Sequence, residues 1–434
     1  MSMYDYQQAF GAHDKTTPAM QKAIAKWFSI YYDTAATATS DPCQRIAYTV
    51  VSKLTRSVFA EYSLSSDDAV LSGIFRALND QHKTAMQLAL VGGECYLKPC
   101  IAKNGFSFGV VPRNRVLVFA RNESGEPTDV GLACKSTSGN FYYTLLERRT
   151  VDEKGFLTVE NKLYRALNRQ SLGTQVPLSE LEAYKALAPR YTFEVPVGSV
   201  GLVRVKAPTL NCVDGSDDGV SIYAPAVQLI ENIDRNEAML KDEFERGQSR
   251  IIASRDLLLD GQLQEHLFVG LDDDAEHVGI TVFSPALREQ SFLARKQEYL
   301  RNVESVIGLK RGLLSDANVD QRTATEITSS QGEQAMTVMD FQQMWEHAVR
   351  QSVALCTVLS KLYGLPQITD TAYRIDWGNG VLFDEEKRFD MYRQLVCDGI
   401  LKPEIALGRV FSEPCDTPEQ LAKIKAKYMT ESKS

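Results

Sequence analysis

The sequence of 434 residues lacks the features that mark secreted and membrane proteins. Its eight cysteines are scattered and form no CxxC pair, so we expect reduced thiols in a cytosolic compartment rather than a disulfide scaffold. No apolar run reaches the roughly 18 residues of a membrane span, and residues 1–10 carry no hydrophobic signal segment. The composition therefore predicts a protein made in the cytoplasm, and used there or in a particle assembled there.

Positive charge is also in short supply. Lys and Arg number 48 against 56 Asp and Glu, which gives a formal net charge of -8. Proteins that grip nucleic acid by neutralising many phosphates usually carry a basic excess, so the composition argues against that class. It is compatible with a protein that lets DNA pass without gripping it.

Motifs that carry enzyme chemistry are absent as well. The sequence contains no GxxxxGK[ST] loop, no GxGxxG after a strand-like run, no HExxH and no GxSxG, and it has only five histidines. We therefore expect no catalytic residue, no cofactor and no metal. Cys95 and Cys100, which we place on either side of a β-turn, have no histidine nearby in sequence to activate a thiolate.

Two acidic segments are candidates for cation binding. Residues 214–219 begin like a calcium loop, but Pro225 stands where the bidentate Glu would be, so a flexible domain junction is the preferred interpretation. His266 and His277 flank three consecutive aspartates at 272–274. A solvated loop tip is the preferred interpretation of that segment.

Hydrophobic periodicity predicts an α+β fold. Residues 18–90 show helical spacing, which changes at Gly92 and Gly93 to short strand-like runs separated by turn signals. The runs lie at 94–97, 106–111, 115–119, 140–148, 156–167 and 201–205. Residues 18–205 thus predict a helical segment followed by a β-rich one.

A long helix, an acidic hairpin and a returning helix come next. The first helix is predicted from about 222 to 253, interrupted only by Gly247. Residues 256–287 then hold seven acids and no Lys or Arg, and two flanking apolar patches predict a small β-hairpin. Ser284 and Pro285 supply an N-cap and a first-turn proline for the second helix, which Gly308 ends.

The remaining sequence predicts a loop and a second helical region. Residues 309–321, which include Lys310 and Arg311, are expected to form an exposed loop. The longest helix runs from about 322 to 363, where apolar side chains alternate steps of three and four. One strand and three helices complete the prediction, at 373–377, 384–398, 402–410 and 417–428.

The order of elements from residue 220 onward resembles that of siphophage-type portal proteins of tailed bacteriophages. The segment GVSIYA at 219–224 is similar to the lead-in to the stem helix of that family. The segment RTATEI at 322–327, opening a long helix after a loop, looks like the family's TATE-type signature. The strand at 373–377 and the helix at 384–398 also fit, so the resemblance covers most of the chain.

The resemblance implies a portal fold in seven segments. Residues 1–221 would form the wing, helical to about 90 and β-rich over 91–206. The others would be a stem helix (222–255), the clip (256–284), a second stem helix (285–307), the tunnel loop (308–322), a long wing helix (323–364) and a reduced helical crown (365–434). The family layout places Lys310, Arg311 and Arg322 in the tunnel loop facing DNA. The acidic clip rim would comprise Asp272, Asp273, Asp274 and Glu276.

The resemblance also implies a function. Portals form dodecameric homo-oligomer rings at one capsid vertex of the virion, after assembly in the host cytoplasm, and double-stranded DNA passes through them during packaging and ejection. Their partners are the terminase large subunit, a head-tail adaptor, and capsid and scaffold proteins, with no membrane involved. An acidic lining would repel phosphate and let DNA slide. The orientation of Arg246, Arg250 and Arg255, towards the tunnel or a neighbouring subunit, stays open.

Two alternatives remain at the level of sequence. The chain would be another head-tail structural protein, such as an adaptor or minor head protein, if the helix–hairpin–helix unit were not a stem. It would be an intracellular enzyme if titratable groups converged in one pocket, of which the sequence gives no sign.

Overall fold

The computed structural model describes residues 3–32, 43–102, 105–247, 250–254, 268–271, 281–283, 287–316, 324–378, 385–411, 415 and 417–429. This part of the chain is a mixed helix and sheet protein, which confirms the predicted fold class at that level. The chain divides into two compact units. One comprises residues 1–58 and 64–374, and the other comprises residues 59–63 and 375–434.

Helices open the larger unit, as the spacing over 18–90 predicted. They are α1 (Met3–Phe10), α2 (Pro18–Tyr32), α3 (Ile46–Val58), α4 (Ala69–Asn79) and α5 (His82–Gly92), with the short strand β1 (Ser63–Ser65) before α4. Helix α1 was not predicted; its Tyr6 and Phe10 are buried in a cluster with Leu117 and Phe119. The last helical pattern of the predicted span 18–90 corresponds to two helices, α4 and α5, because the helix is interrupted at Asp80 and Gln81.

Two sheets follow the helices. Their strands are β2 (Glu94–Ala102), β3 (Gly105–Pro112), β4 (Val116–Arg121), β5 (Pro127–Ser138), β6 (Phe141–Val151), β7 (Leu157–Ala166), β8 (Thr174–Val176), β9 (Arg190–Thr192) and β10 (Val203–Lys206). The smaller sheet has the order β10-β2-β3, and the larger has the order β4-β5-β6-β7-β8 with β9 also paired to β7. Tyr96, Val118, Val130 and Leu202 belong to one buried cluster that involves both sheets.

Each of the six predicted runs overlaps a strand, but two expectations about this region were wrong. Strand β5 was missed although it pairs with both β4 and β6, because turn signals and Gly131 obscure its alternation. Cys95 and Cys100 do not bracket a turn: β2 continues through Pro99, paired along its whole length with β3. Burial raises the pKa of the Cys95 thiol, so this cysteine is an inert core residue.

A buried ionic cluster stabilises the junction of these elements. Glu94 is fully buried between Arg113, whose Nε lies 2.8 Å from Oε1, and Arg204, whose Nη2 lies 2.5 Å from Oε2. Asp218 accepts from Arg113 at 2.9 Å and from Arg121 at 2.6 Å. Burial would raise the pKa of Glu94, but the guanidinium groups of Arg204, Arg113 and Arg121 outweigh it and lower the pKa to about 2.

Residues 213–219 are not the flexible domain junction that their composition suggested. Both flanks belong to the larger unit, and Asp218 is buried in the ionic cluster. Gly93 adopts φ +80°, and a Cβ on Gly219 would lie 2.3 Å from the Gly93 carbonyl oxygen. Two glycines therefore allow the segment to pack directly on the backbone at the start of β2.

The helix–hairpin–helix region differs from its prediction at both helix ends. After a 3₁₀ turn (Ala224–Ala226), α6 (Val227–Arg246) ends at Gly247, and β11 (Arg250–Ser254) replaces the predicted last turns because Ile251 and Ile252 pair in a sheet. Helix α7 (Glu289–Ile307) starts four residues after Pro285, so the predicted cap is wrong. Gly308, at φ +75°, ends it as expected.

Three strands replace the predicted hairpin between those helices. They are β11, β12 (Phe268–Leu271) and β13 (Thr281–Phe283), in the order β12-β11-β13, with β12 parallel and β13 antiparallel to β11. The apolar patch 278–283 thus contributes a strand. The patch 257–259 lies outside the described residues.

The longest helix confirms its prediction. Helix α8 (Ala324–Leu362) carries a stripe whose large members include Phe341 and Trp345, which are essentially inaccessible to solvent. It packs against α3, α4 and β10. The apolar pattern over 322–363 therefore predicted both the helix and its buried face.

The smaller unit contains the helices of the C-terminal region. The short strand β14 (Arg374–Asp376) leads to Trp377, which stacks with Phe59 and Tyr62. Helices α9 (Glu385–Cys397), α10 (Pro403–Val410) and α11 (Pro418–Tyr428) agree with the predicted spans. Helix α11 begins with a capping box formed by Thr417 and Gln420.

Candidate functional site: the helix pair and the loop before α8

Helices α6 and α7 form an antiparallel pair. Glu243 near the end of α6 binds Arg288 just before α7, with Oε2 and Nη2 2.6 Å apart, and Glu237 binds Lys296 at 2.9 Å. The Asn236 amide, which is buried, donates to the Phe292 carbonyl at 3.0 Å. Two ion pairs and a buried amide therefore fix the register of the pair, because each has one partner on each side of it.

The pair is packed at one end and open at the other. Ile230, Ile233 and Leu240 of α6 are buried, as are Leu300 and Val303 of α7. Towards the other end, large apolar side chains of the pair are between 40% and 53% exposed, namely Met239, Phe244, Leu287 and Leu293. Apolar side chains this exposed along a narrow pair of helices form a surface that a partner would cover.

The predicted clip residues cannot be placed on this pair in detail. Asp272, Asp273, Asp274 and Glu276 lie outside the described residues, as do His266, His277 and Arg255. Arg246 is exposed and pairs with Asp242 one turn earlier, with Nε and Oδ1 3.0 Å apart. Arg250 opens β11 and pairs through its backbone with Phe283.

The loop after α7 is built around one carboxylate. Glu304 is fully buried and accepts four hydrogen bonds from the loop. The donors are the backbone amides of Gly312, Leu314 and Ser315, at 3.2, 2.5 and 2.9 Å, and the Ser315 hydroxyl, at 2.8 Å. A carboxylate has room for four such donors, so a single α7 side chain satisfies three backbone amides and one hydroxyl of the turn.

Neighbouring elements hold the same loop from other sides. The Lys53 ammonium of α3 donates to the Leu313 carbonyl, and the Asp316 amide donates to Gln297 of α7 at 2.8 Å. The Thr337 hydroxyl of α8 donates to the Gly308 carbonyl at 3.0 Å. These contacts give the segment 309–316 a defined conformation. We call this segment the clamped loop.

The expectation of a simply exposed loop over 309–321 was therefore wrong for its first half. Leu309 and Ser315 are buried, Lys310 is half-buried and Arg311 is exposed. Arg322 lies outside the described residues, so the structure brings Lys310 and Arg311 together but does not place the third predicted cation. Sequence patterns did not predict the role of Glu304, because its hydrogen-bond donors lie in the following loop and contact it only in the folded chain.

The described residues show no arrangement typical of catalysis. None of them form a group of three or more His, Cys, Asp or Glu side chains able to hold a metal ion. No helix in the described ranges has the length and apolarity that a membrane crossing needs. The polar groups that converge, around Glu94 and around Glu304, are used to bind other parts of the chain.

Comparison with known proteins decides the family. A family model described as "Phage portal protein, SPP1 Gp6-like" matches residues 80–433. The chain belongs to this family of phage portal proteins. It is therefore a structural head-tail connector of a bacteriophage and not an enzyme, which resolves both alternatives left open by the sequence.

Solved structures agree on the fold. A chain from a structure described as "Neck of native GTA particle computed with C12 symmetry" is 13% identical, with a TM-score of 0.50. The match covers 94% of the present chain and 97% of the other. No curated protein matches the sequence.

Proposed function

We propose that twelve copies of this portal protein form a closed ring at one vertex of a phage capsid, through which double-stranded DNA is packaged and later ejected. Family membership carries the proposal, and the twelvefold symmetry follows that of the particle neck with the same fold. The open end of the α6–α7 pair supports it, because side-by-side copies would cover Met239, Phe244 and Leu293. Such a head-to-tail contact closes into a ring.

Within the ring each segment takes a role. Residues 1–221 form the wing, the α6–α7 pair forms the stem, and the three-stranded sheet that begins at β11 forms the clip. Helix α8 crosses the wing, and residues 365–434 form a reduced crown. Since α6 ends at Arg246, the stem is shorter and the clip begins earlier than the sequence alone suggested.

The charged segments have opposite tasks. The acids Asp272, Asp273, Asp274 and Glu276 line the clip rim, where they repel the DNA backbone and present a docking surface to the terminase large subunit and the head-tail adaptor. In this proposal Lys310 and Arg311 of the clamped loop face the tunnel, and Arg322 is the third cation assigned to the tunnel loop. The positive charge of the tunnel loop guides the duplex, and the negative charge of the clip rim repels its phosphates and lets it slide past.

Ring formation is tested by imaging the purified protein. We expect rings with a central hole by negative-stain electron microscopy, and a mass near that of twelve subunits by light scattering. Phe244→Glu combined with Leu293→Glu would place two charges in the interface and abolish rings. The matched control is Leu167→Glu with Leu210→Glu, two exposed leucines away from the pair. A wild-type monomer, or equal ring yield from both double variants, would refute the stem assignment.

The DNA-facing assignment is tested without deleting the loop. Removing residues 310–316 would leave the buried Glu304 without its four donors, so a deletion would damage folding as well as DNA contact. Lys310→Gln with Arg311→Gln keeps the backbone and removes the charge. We expect intact rings with reduced DNA packaging, and no loss from Lys83→Gln with Lys154→Gln. Unchanged packaging by the loop variant would remove these residues from the tunnel surface.

A further inference from the structure

A cavity lies in the larger unit, away from the helix pair. Its volume is about 390 Å³, within the range of ligand sites. Buried residues of its lining include Tyr6, Thr16 and Arg113. Its open side carries three exposed cations that are distant in sequence, Arg115, Lys135 and Arg169.

These three cations have no acidic partner among the described residues. The lining of the cavity contains no Asp or Glu, and none of the ion pairs in the described ranges involves Arg115, Lys135 or Arg169. Partial desolvation at the edge of the cavity lowers the pKa of Lys135, and the positive charges of Arg169 and Arg115 lower it further. In a chain whose net charge is -8, an uncompensated group of three cations is a local exception that a bound anion would relieve.

The backbone presents each cation from a fixed position. Arg115 ends the 3₁₀ turn Arg113–Arg115, which the buried Arg113 holds through bonds to the Val116 carbonyl and the Thr16 hydroxyl, both at 2.7 Å. Lys135 lies in β5, paired with Thr144 of β6. Arg169 lies in a turn that the Asn168 side chain organises by accepting from the amides of residues 170 and 171.

We propose that the cavity framed by Arg115, Lys135 and Arg169 is an anion-binding site that takes a phosphate group, either free or in a nucleic-acid backbone. Two guanidinium groups and one ammonium match the several acceptor oxygens of a phosphate group better than they match the two oxygens of a carboxylate. The buried Arg113 is neutralised by Glu94 and Asp218, so the three rim cations carry the net charge of the site.

The first arm of the test uses inorganic phosphate and the full-length protein. Isothermal titration should show one phosphate bound per subunit, with an affinity at least about tenfold lower in the triple variant Arg115→Gln/Lys135→Gln/Arg169→Gln. The matched control is Lys83→Gln/Lys154→Gln/Lys423→Gln, which removes the same charge from exposed positions elsewhere. Unfolding temperature verifies folding, and the single variant Lys135→Gln replaces the triple one if that fails to fold.

The second arm identifies the source of the phosphate. A labelled 20-base-pair duplex is titrated at several salt concentrations, with inorganic phosphate as competitor. If the DNA backbone is the ligand, the slope of log affinity against log salt concentration is smaller in magnitude by about two to three in the triple variant. If only inorganic phosphate binding depends on the three cations, the ligand is free phosphate. Equal phosphate affinity in the triple variant and the control, or displacement of phosphate by a Glu-rich peptide at lower concentration, overturns the proposal.

Discussion

Replacing Glu304 by alanine should release the clamped loop while leaving the rest of the protein folded. The variant orphans three backbone amides and one hydroxyl, of which both groups of Ser315 are buried and those of Gly312 and Leu314 are half-buried. An unsatisfied buried donor costs about 1–3 kcal/mol, and half-exposed donors recover part of this from water. Two buried donors and two half-buried ones give a local loss of about 3–5 kcal/mol.

Hydrogen exchange measures this loss directly. Local opening exposes the amides of a loop to exchange while the rest of the protein stays folded, so the amides of residues 312–315 should exchange at least about a hundredfold faster. Glu304→Gln should fall between wild type and Glu304→Ala. Its amide keeps one acceptor oxygen, and its NH₂ group can donate to the Ser315 hydroxyl, but it loses the charge.

A control separates the clamp from general effects on α7. Glu289→Ala removes an exposed carboxylate from the first turn of the same helix and should leave exchange in the loop unchanged. Exchange of residues 312–315 in Glu304→Ala within threefold of wild type would refute the idea that this carboxylate holds the loop.

Three further predictions concern the larger unit. The pKa of Glu94, beside Arg204 and Arg113, and the pKa of the buried Glu147, beside Arg149 and Lys98, are each lowered to about 2 in the folded chain. Their stabilisation is therefore complete above about pH 4.5 and lost as pH falls towards 2, so urea unfolding should show a loss of about 3 kcal/mol for each, and Glu94→Gln should remove its share. Gly93→Ala should destabilise by about 3 kcal/mol or more, since φ is +80° and a Cβ would lie 2.2 Å from the Gly219 backbone; a melting temperature within 2 °C of wild type would contradict the close approach. Trp345→Ala should cost about 3–5 kcal/mol in chemical denaturation, and a cost below about 1 kcal/mol would show that α8 is not a core helix.

Periodic apolar spacing identified most helices correctly. Helix α8 shows why: a stripe repeated over about seven turns, from Ala335 to Leu359, is buried along one side only by a helix, so the pattern predicts both the helix and its inner face. The same reasoning succeeded for α2, α3 and the three C-terminal helices. It failed for α1, whose short polar sequence becomes helical because Tyr6 and Phe10 pack on the sheets.

Element ends and loops depended on contacts that are distant in sequence. After Gly247 the local sequence is equally compatible with further helical turns and with a strand. The pairing of β11 with β12 and β13 determines that a strand forms. Residues 213–219 have the composition of a linker, yet a salt bridge from Asp218 to Arg113 over a hundred positions away makes them part of the core.

The sequence by itself determined the fold class, the long helices and the portal resemblance, because hydrophobic period and element order are properties of the linear chain. Only the tertiary structure decided which polar residues hold the functional segments. The four donors of Glu304 and the register of α6 against α7 require distant segments to come within hydrogen-bonding or ion-pairing reach. The placement of Arg115, Lys135 and Arg169 around one cavity likewise requires distant segments to fold together. Charge and hydrogen bonding act through space, and spacing along the chain does not reveal those distances.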